Sequence, residues 1–580
     1  MSICRKAAVS ELCLSPPFKT LVFCKEKYQK MAKFWGIIRR RLEGKPRRTT
    51  VKNTVEKDPE SSVSKTSIPR LERLSDDLLL DIMELVAIPQ TAHPMQECLG
   101  TIDLLSLMCC NRHMYVLGEP ILYRNLIESS PLRLPKFIRT IIGRPHLAEY
   151  VRNVKFKDRI TLNTPALLEV LSSLDKGRIE FLIESRIIPD NTDPDKFEQG
   201  KLIKAQPTET PSYITTFRSR PDMKRDEDRK NFKTGLQAGY WTFMRGFILS
   251  LLPNIEELHI SISRDSSHPD GLTQVLLRAA EFRYRSTTSP SPKPLSRLRD
   301  LTLSYDNYQR CPGIWYIFPY LAHHTLQSFT GDLIRSRYFE ITEYWSLLPP
   351  ELRLKSLRLK RSNIHTQSLH KLLQYCPVLE ILEYEHEHFP GDLIFNPEKF
   401  VSSIEHLKPC LQELGLVLCG RGRYYPNTAD ISEEVTTISL SEFEKLTNLS
   451  ITANLWLGAL KSPKASRDST IYQATYQWQP PPPEQKFTQC LPRSLEYLCL
   501  KECSGWVEEE VSELVEQAAI VTPNLKTLVL KGTEFESPLY YANLLRRPAA
   551  EPLFRRNQSA ARKLEEDCIA KGIKLDVRYY

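Results

Sequence analysis

One phrase recurs through the second half of the chain: apolar-x-x-apolar-x-apolar. It occurs at Ile255/Leu258/Ile260, Leu298/Leu301/Leu303, Leu354/Leu357/Leu359, Leu379/Leu382/Tyr384, Leu411/Leu414/Leu416, Leu446/Leu449/Ile451, Leu495/Leu498/Leu500 and Leu525/Leu528/Leu530. A weaker ninth is Leu326/Phe329, whose third position is Gly331. The second and third apolar positions lie two residues apart, so they share one face of an extended strand, and the first turns into that strand. So short a strand cannot bury its face alone. Stacking successive units does bury it, which restricts residues 252–580 to an elongated array of parallel strands.

The second positions fall at 258, 301, 329, 357, 382, 414, 449, 498 and 528, in steps of 25 to 49 residues. The two longest steps contain insertions, TTSPSPKP at 287–294 and WQPPPP at 478–483. A polyproline run packs neither as an ordinary helix nor as a central strand. Leucine-rich repeats run about 20–29 residues, so several steps fit and others are long, the insertions accounting for part of the excess. A second regularity is independent of the leucines: Pro253, Pro377, Pro409 and Pro523 each stand two residues before a first apolar position. Proline there stops a preceding helix and favours an extended approach to the strand. Helical apolar spacing duly precedes two of them, at Leu369, Leu372, Leu373 and Cys376 and at Val511, Leu514, Val515 and Ala518. Each unit therefore reads helix, proline, strand. Helices wider than strands predict a curved array with the sheet on its concave side. A helix from Ala560 to Ala570 and the alternation Ile573, Leu575, Val577 predict a terminal strand closing the stack.

Proline outnumbers glycine, 41 to 21, as expected of many stiff connections between short elements. Hydrophobic residues at 41% suffice for a large core. The net charge of +10 lies wholly in residues 1–67, where 16 Lys/Arg face 6 Asp/Glu. That stretch reads as a basic, largely disordered tail. Within it Met31, Phe34, Trp35, Ile38 and Leu42 form a helical stripe among lysines and arginines; a membrane-surface helix, a nuclear import patch and a short helix docked on the body all fit it. The balanced remainder carries no bias toward nucleic acid. No apolar run is long enough for a transmembrane helix, and the first residues lack the apolar core of a secretory signal. Fourteen cysteines without paired spacing fit reduced thiols in the cytoplasm or nucleus.

Residues 68–127 read as a compact helical domain. Ser75 is a predicted N-cap, and Asp76 and Asp77 would sit on the positive end of the helix dipole. Leu78, Leu79, Ile82, Met83, Leu85 and Val86 fill two adjacent stripes, so that helix is expected to bury a wide face. A polar stretch from Pro89 to about Gly100 follows, then a second helix starting near Asp103 with Leu104, Leu105, Leu107 and Met108, then a third segment from Met114 to Leu126. Residues 128–251 read as linking helices and first irregular repeats: a helix from Pro135 to Val151, a strand at Val154-Lys155-Phe156, a helix from Leu167 to Leu174, a polar insertion at 186–235, and helical periodicity from Leu236 to Leu252.

No phosphate-binding glycine loop, nucleophile elbow or zinc-protease helix occurs, and no catalytic constellation or cofactor is expected. His323-His324 and His386-x-His388 are the close histidine pairs, and an exposed strand end is the expectation for the second. Cys419 and Cys503 stand three residues after the last leucine of their units, a position where leucine-rich repeats carry Cys or Asn. For these thiols and Cys499 metal binding is the alternative, without zinc-type spacing to support it.

Residues 74–112 resemble an F-box, through the stretches LSDDLLLDIMELV and DLLSLMCCNRHMYVL. Ser75 stands where the family has proline and Asp77 where it has glutamate; Cys109, Cys110, Asn111 and Arg112 cover the end of its pattern imperfectly. The match covers about a tenth of the chain but lies directly ahead of the leucine-rich array. The whole resembles an F-box/leucine-rich-repeat protein of the divergent kind common in filamentous fungi. The resemblance implies an α/β chain in which a small helical F-box precedes an irregular leucine-rich-repeat solenoid. It implies that the F-box binds a Skp-type adaptor and, through it, a cullin and a RING subunit, while the repeats hold a protein substrate for ubiquitin transfer. The chain itself would perform no chemistry. Leu74, Leu78, Leu79, Ile82, Leu104, Leu105 and Leu107 would supply the adaptor interface or its supporting core. Candidate substrate contacts are Glu257, His259, Arg299, Lys355, Arg358, Glu383, Gln412, Glu413, Glu496 and Lys526, whose mixed signs suit a protein partner. A leucine-rich-repeat scaffold with no ubiquitin-ligase role is the alternative.

Overall fold

The computed structural model describes residues 74–87, 97–128, 133–156, 230, 234–235, 241–262, 295–305, 313–336, 345, 348–387, 395, 397–419, 439–453, 487–503, 507–532 and 558–579, all within one compact unit, Leu74–Tyr580. The stripe from Met31 to Leu42, the helix at 167–174, nearly all of the 186–235 insertion and His388 lie outside the described residues.

The fold is mixed α/β, built on one open sheet of thirteen strands in which every pairing is parallel. The strands are β1 (Asn125–Ile127), β2 (Asn153–Phe156), β3 (Glu257–Ile262), β4 (Asp300–Tyr305), β5 (Ser328–Asp332), β6 (Arg335–Ser336), β7 (Ser356–Ile364), β8 (Ile381–Glu387), β9 (Glu413–Cys419), β10 (Asn448–Thr452), β11 (Tyr497–Cys503), β12 (Thr527–Gly532) and β13 (Lys574–Tyr579). Each pairs with the next in chain order, except that β6 is a side branch on β7. Such an order is consistent with a solenoid.

The recurring phrase sets the register. Leu258 stands opposite Leu301, and Phe329, Leu357, Leu382, Leu414, Leu449, Leu498 and Leu528 continue the row. Ile260, Leu303, Gly331, Leu359, Tyr384, Leu416, Ile451, Leu500 and Leu530 form the next inward row. Neither long insertion shifts it. At the far end the expected terminal strand adds Leu575 and Val577. At the near end the ladder starts earlier than the leucines: Val154 and Phe156 stand opposite Leu258 and Ile260, and Leu126 opposite Val154.

A backbone device repeats where each strand is entered. The carbonyl two residues before the second apolar position accepts two successive N–H groups of the following unit. Arg152 accepts from Glu256 and Glu257, Glu256 from Arg299 and Asp300, and the pattern runs on to Glu496, which accepts from Lys526 and Thr527, at 2.7–3.1 Å. Both lone pairs of a carbonyl at each turn are thereby satisfied inside the stack.

Helices or short 3₁₀ turns precede several strands and stop before the prolines, as expected. α5 (Trp241–Leu251) precedes Pro253, α7 (Thr366–Gln374) Pro377, the turn Glu405–Leu407 Pro409, and α9 (Val507–Val521) Pro523, while α6 (Phe318–Leu321), α8 (Pro397–Ile404) and α10 (Gln558–Ala570) are further helices of the stack. Leu369, Leu372, Leu373, Cys376, Val511, Leu514, Val515 and Ala518 are buried beneath the sheet in one continuous apolar cluster from Leu126 to Ile573. Gly331 fits that core because its neighbours fill its place: a Cβ there would lie 3.0 Å from both Ile334 Cγ1 and the Phe329 ring.

Three helices precede the sheet: α1 (Asp76–Ala87), α2 (Glu97–Met108) and α3 (Arg112–Arg124). α2 starts at Glu97, six residues before the expected Asp103. α4 (Arg133–Gly143) ends well short of Val151 and gives way to a 3₁₀ turn at Pro145–Glu149. Pro145 lacks the N–H that an α-helix needs there and its ring crowds the preceding turn.

Candidate interaction surfaces

The three-helix unit has its own interior. Leu79 and Met83 of α1, Leu104 and Met108 of α2, and Met114 and Ile121 of α3 are buried, yet none belongs to the cluster running beneath the sheet. Gly118 lets α3 approach α2, since a Cβ there would meet Met108 Cγ at 2.5 Å. Ser75 Oγ accepts the Leu78 N–H at 3.5 Å, in keeping with the expected cap. Asn111 Oδ1 caps α3 by accepting the Met114 N–H at 2.8 Å. Asp76–His113 at 2.9 Å and Glu84–Arg124 at 3.0 Å hold α1 beside α3 along the surface.

The wide buried face expected of α1 is corrected. The stripe Leu79/Met83 is buried, but on the other stripe Leu78 is 51% and Leu85 62% exposed. The two stripes diverge by about 100° per residue step, and a three-helix unit this small covers only one. Of the seven residues assigned to an adaptor contact, Leu79 and Leu104 are core, Leu74, Ile82, Leu105 and Leu107 are half-buried, and Leu78 is exposed. Tyr115 and Val116 of α3 add exposed apolar surface at 42% and 59%.

The second surface is the side of the sheet opposite the leucines. The ten residues assigned to a substrate contact separate into two rows. Glu257, His259, Arg358, Glu383 and Glu413 lie within strands and alternate with the inward leucines, so they occupy this outward face. Arg299, Lys355, Gln412, Glu496 and Lys526 lie one residue before their strands, at the entry rim with the shared carbonyls. Rim side chains pair with rim side chains, Lys355–Glu380 at 2.9 Å and Lys526–Glu496 at 2.7 Å; on the face, Arg358 meets Glu383 at 3.4 Å. Burial, then the Lys155 cation on the adjacent strand, lowers the His259 imidazole from its ordinary value.

Positions just past the third apolar residue escaped the sequence reading, which stopped at the leucines. Lys501, Lys531 and Arg578 stand in direct register there. Lys501 Nζ lies 3.9 Å from Glu385 of β8, although β9 and β10 run between their strands. Continuing the two-residue alternation one step further is the signal that would have found them.

The exposed strand end expected at His386 is also corrected. β8 runs on through His386 and Glu387, which pair with β9, and both residues are buried. Tyr384 Oη lies 3.0 Å from His386 Nδ1, and the Phe395 ring sits 5.2 Å from the imidazole. His323 is buried as well, while His324 is exposed.

Among the described residues no group of three or more His, Cys, Asp or Glu side chains could hold a metal ion. Cys499 and Cys503 are buried, and Cys503 Sγ contacts the Leu500 carbonyl at 3.3 Å. Burial pushes the Cys376 thiol up to about 12. Among the described residues no helix is long and apolar enough to cross a membrane. Set beside known proteins, the chain matches no family model and no curated protein.

Proposed function

We propose that this chain is an F-box/leucine-rich-repeat substrate receptor of a Skp–cullin–F-box ubiquitin ligase. The observation that carries the proposal is the separate interior of α1–α3 beside an uncovered apolar stripe. A helical cap on a solenoid shares its interior with the stack it closes. Leu79, Met83, Leu104, Met108, Met114 and Ile121 instead lie outside the ladder's cluster, which α3 touches through the half-buried Tyr123, while Leu78 and Leu85 face outward. Burying a side chain of that size is worth about 1.5–3 kcal/mol, so a few suffice for a specific contact with a Skp-type adaptor. The polar outward face of the sheet would hold a protein client. The receptor then acts by tethering, since a client held near a charged ubiquitin-conjugating enzyme meets it at high effective concentration. Such a receptor works in the cytoplasm or nucleus.

Co-purification tests this. Full-length chain captures a Skp-type adaptor and, through it, cullin and RING subunits. Leu78→Asp with Leu85→Asp abolishes capture while the unfolding midpoint stays put. Capture that survives the double variant, or an adaptor that never co-purifies, overturns the proposal.

A further inference from the structure

We infer that the outward face of the last three strands is an anion-binding band that takes an acidic peptide segment; this names the client chemistry of the face assigned above to substrate and rests on that assignment. Three cations stand on consecutive strands in direct register: Lys501 on β11 opposite Lys531 on β12, and Lys531 opposite Arg578 on β13. Like charges placed directly across a sheet destabilise it. Two of the three already meet carboxylates, Lys501 with Glu385 at 3.9 Å and Arg578 with Asp576 at 2.6 Å, yet the cations outnumber these carboxylates, and an anion laid over the row offsets the excess. Lys574 adds a fourth cation to the same face of β13, which also carries the carboxylate of Asp576. Arg578 bonds that carboxylate, and with Lys574 and Lys531 holds it below its ordinary range, as a positive local field requires. The row is open to a partner, the Arg578 side chain being 53% and that of Lys501 23% exposed.

Size and surroundings select the ligand. Three strands about 4.8 Å apart make a row of about 10 Å, the reach of about three residues of extended peptide. Beyond it the same face turns acidic, with Glu383 and Glu385 on β8 and Glu413 on β9. A long polyanion laid along the sheet runs into those carboxylates, whereas a short run of Asp or Glu does not.

The test uses the full chain and fluorescence anisotropy with three labelled probes: a ten-residue glutamate peptide, its glutamine counterpart, and a single-stranded DNA decamer. The glutamate peptide binds, its affinity falls as salt rises, and Lys531→Glu with Lys574→Glu weakens it at least about tenfold. Lys571→Glu, on the exposed turn before β13, changes it less than about twofold. Should the double reversal fail to fold, Lys531→Gln with Lys574→Gln carries the same test, with a loss of about threefold or more. Equal binding of the glutamine peptide, tighter binding of the DNA, or indifference to both double variants overturns the inference. Adaptor capture is measured separately, so peptide binding without capture refutes only the ligase assignment, and capture without peptide binding refutes only the acidic-segment assignment.

Discussion

The residue at each inward place of the ladder answers to what surrounds it. The first strand shows this by exception. Leu126 holds the second apolar place of β1, and two residues on, where the ladder strands other than β5 carry an apolar side chain, stands Glu128. Its carboxylate is wholly buried, and Arg245 of α5 reaches it at 2.8 Å while also donating to the Ser261 carbonyl and lying over the Phe156 ring. Breaking a buried pair on one side strands the other charge, so Arg245→Met costs about 3–5 kcal/mol, and adding Glu128→Leu recovers most of that. Urea midpoints of the two variants measure both effects. Gly331 is the converse case. Restoring the pattern there with leucine overpacks Ile334 and Phe329, so Gly331→Leu lowers stability by about 1–3 kcal/mol despite its better fit to the repeat. His259 gives a pH dependence. Burial and Lys155 lower its pKa while Glu257 and Asp300 oppose them. The folded chain thus takes the proton less readily than the unfolded one. Its effect vanishes above the ordinary value of 6.5 and turns destabilising as pH falls through it. His259→Gln therefore flattens the loss of stability between about pH 7 and pH 5, measured by urea unfolding at each pH.

At the scale of elements, the two interiors predict independent unfolding. Leu104→Ala opens a cavity worth about 2–5 kcal/mol inside α1–α3. Amide exchange should then accelerate in residues 76–124 and stay slow across β3–β12, since Leu104 contributes nothing to the cluster beneath the sheet. Faster exchange throughout would mean that the helices and the ladder share one core after all. The ladder itself was legible because its leucines alternate strictly and prolines mark its turns, both local signals. Of its first two strands, β2 was legible as a strand at Val154-Lys155-Phe156 but not as a bearer of the recurring phrase, and β1 was not legible. Val151, Val154 and Phe156 satisfy the recurring phrase without a leucine, and β1 hides its phrase behind Glu128, an inward charge paired with Arg245, 117 residues away. The candidate site was half legible. Which residues alternate with the leucines follows from the pleat, but the split of rim from face depends on where each strand begins. The exposure of Leu78 and Leu85 depends on how many helices pack against α1, which no local pattern records.

For the molecule as a whole, an open parallel sheet leaves two edges, and the chain treats the last one distinctively. β13 reads KLDVRY, with Lys574, Asp576 and Arg578 alternating along the outward face, whereas β12 beside it reads TLVLKG with one charge. Charged residues on an edge strand oppose pairing with another chain, and an apolar edge invites it. α10 contributes too, through Leu564 and Cys568, which with Ile573 are buried against the end of the core. Ending the chain at residue 557 removes both elements. Units of a stacked array gain stability mainly from their neighbours, so the units up to β11 keep their packing and most of the secondary structure survives in circular dichroism. The edge of β12 and the apolar surface beneath it are now uncovered, and the shortened chain should self-associate in a concentration-dependent way in sedimentation velocity. Val529→Lys, added to the truncation, should reverse that association by placing a second charge on the new edge. A truncated chain that sediments as the intact one does would show that α10 and β13 do not act as the ladder's stopper.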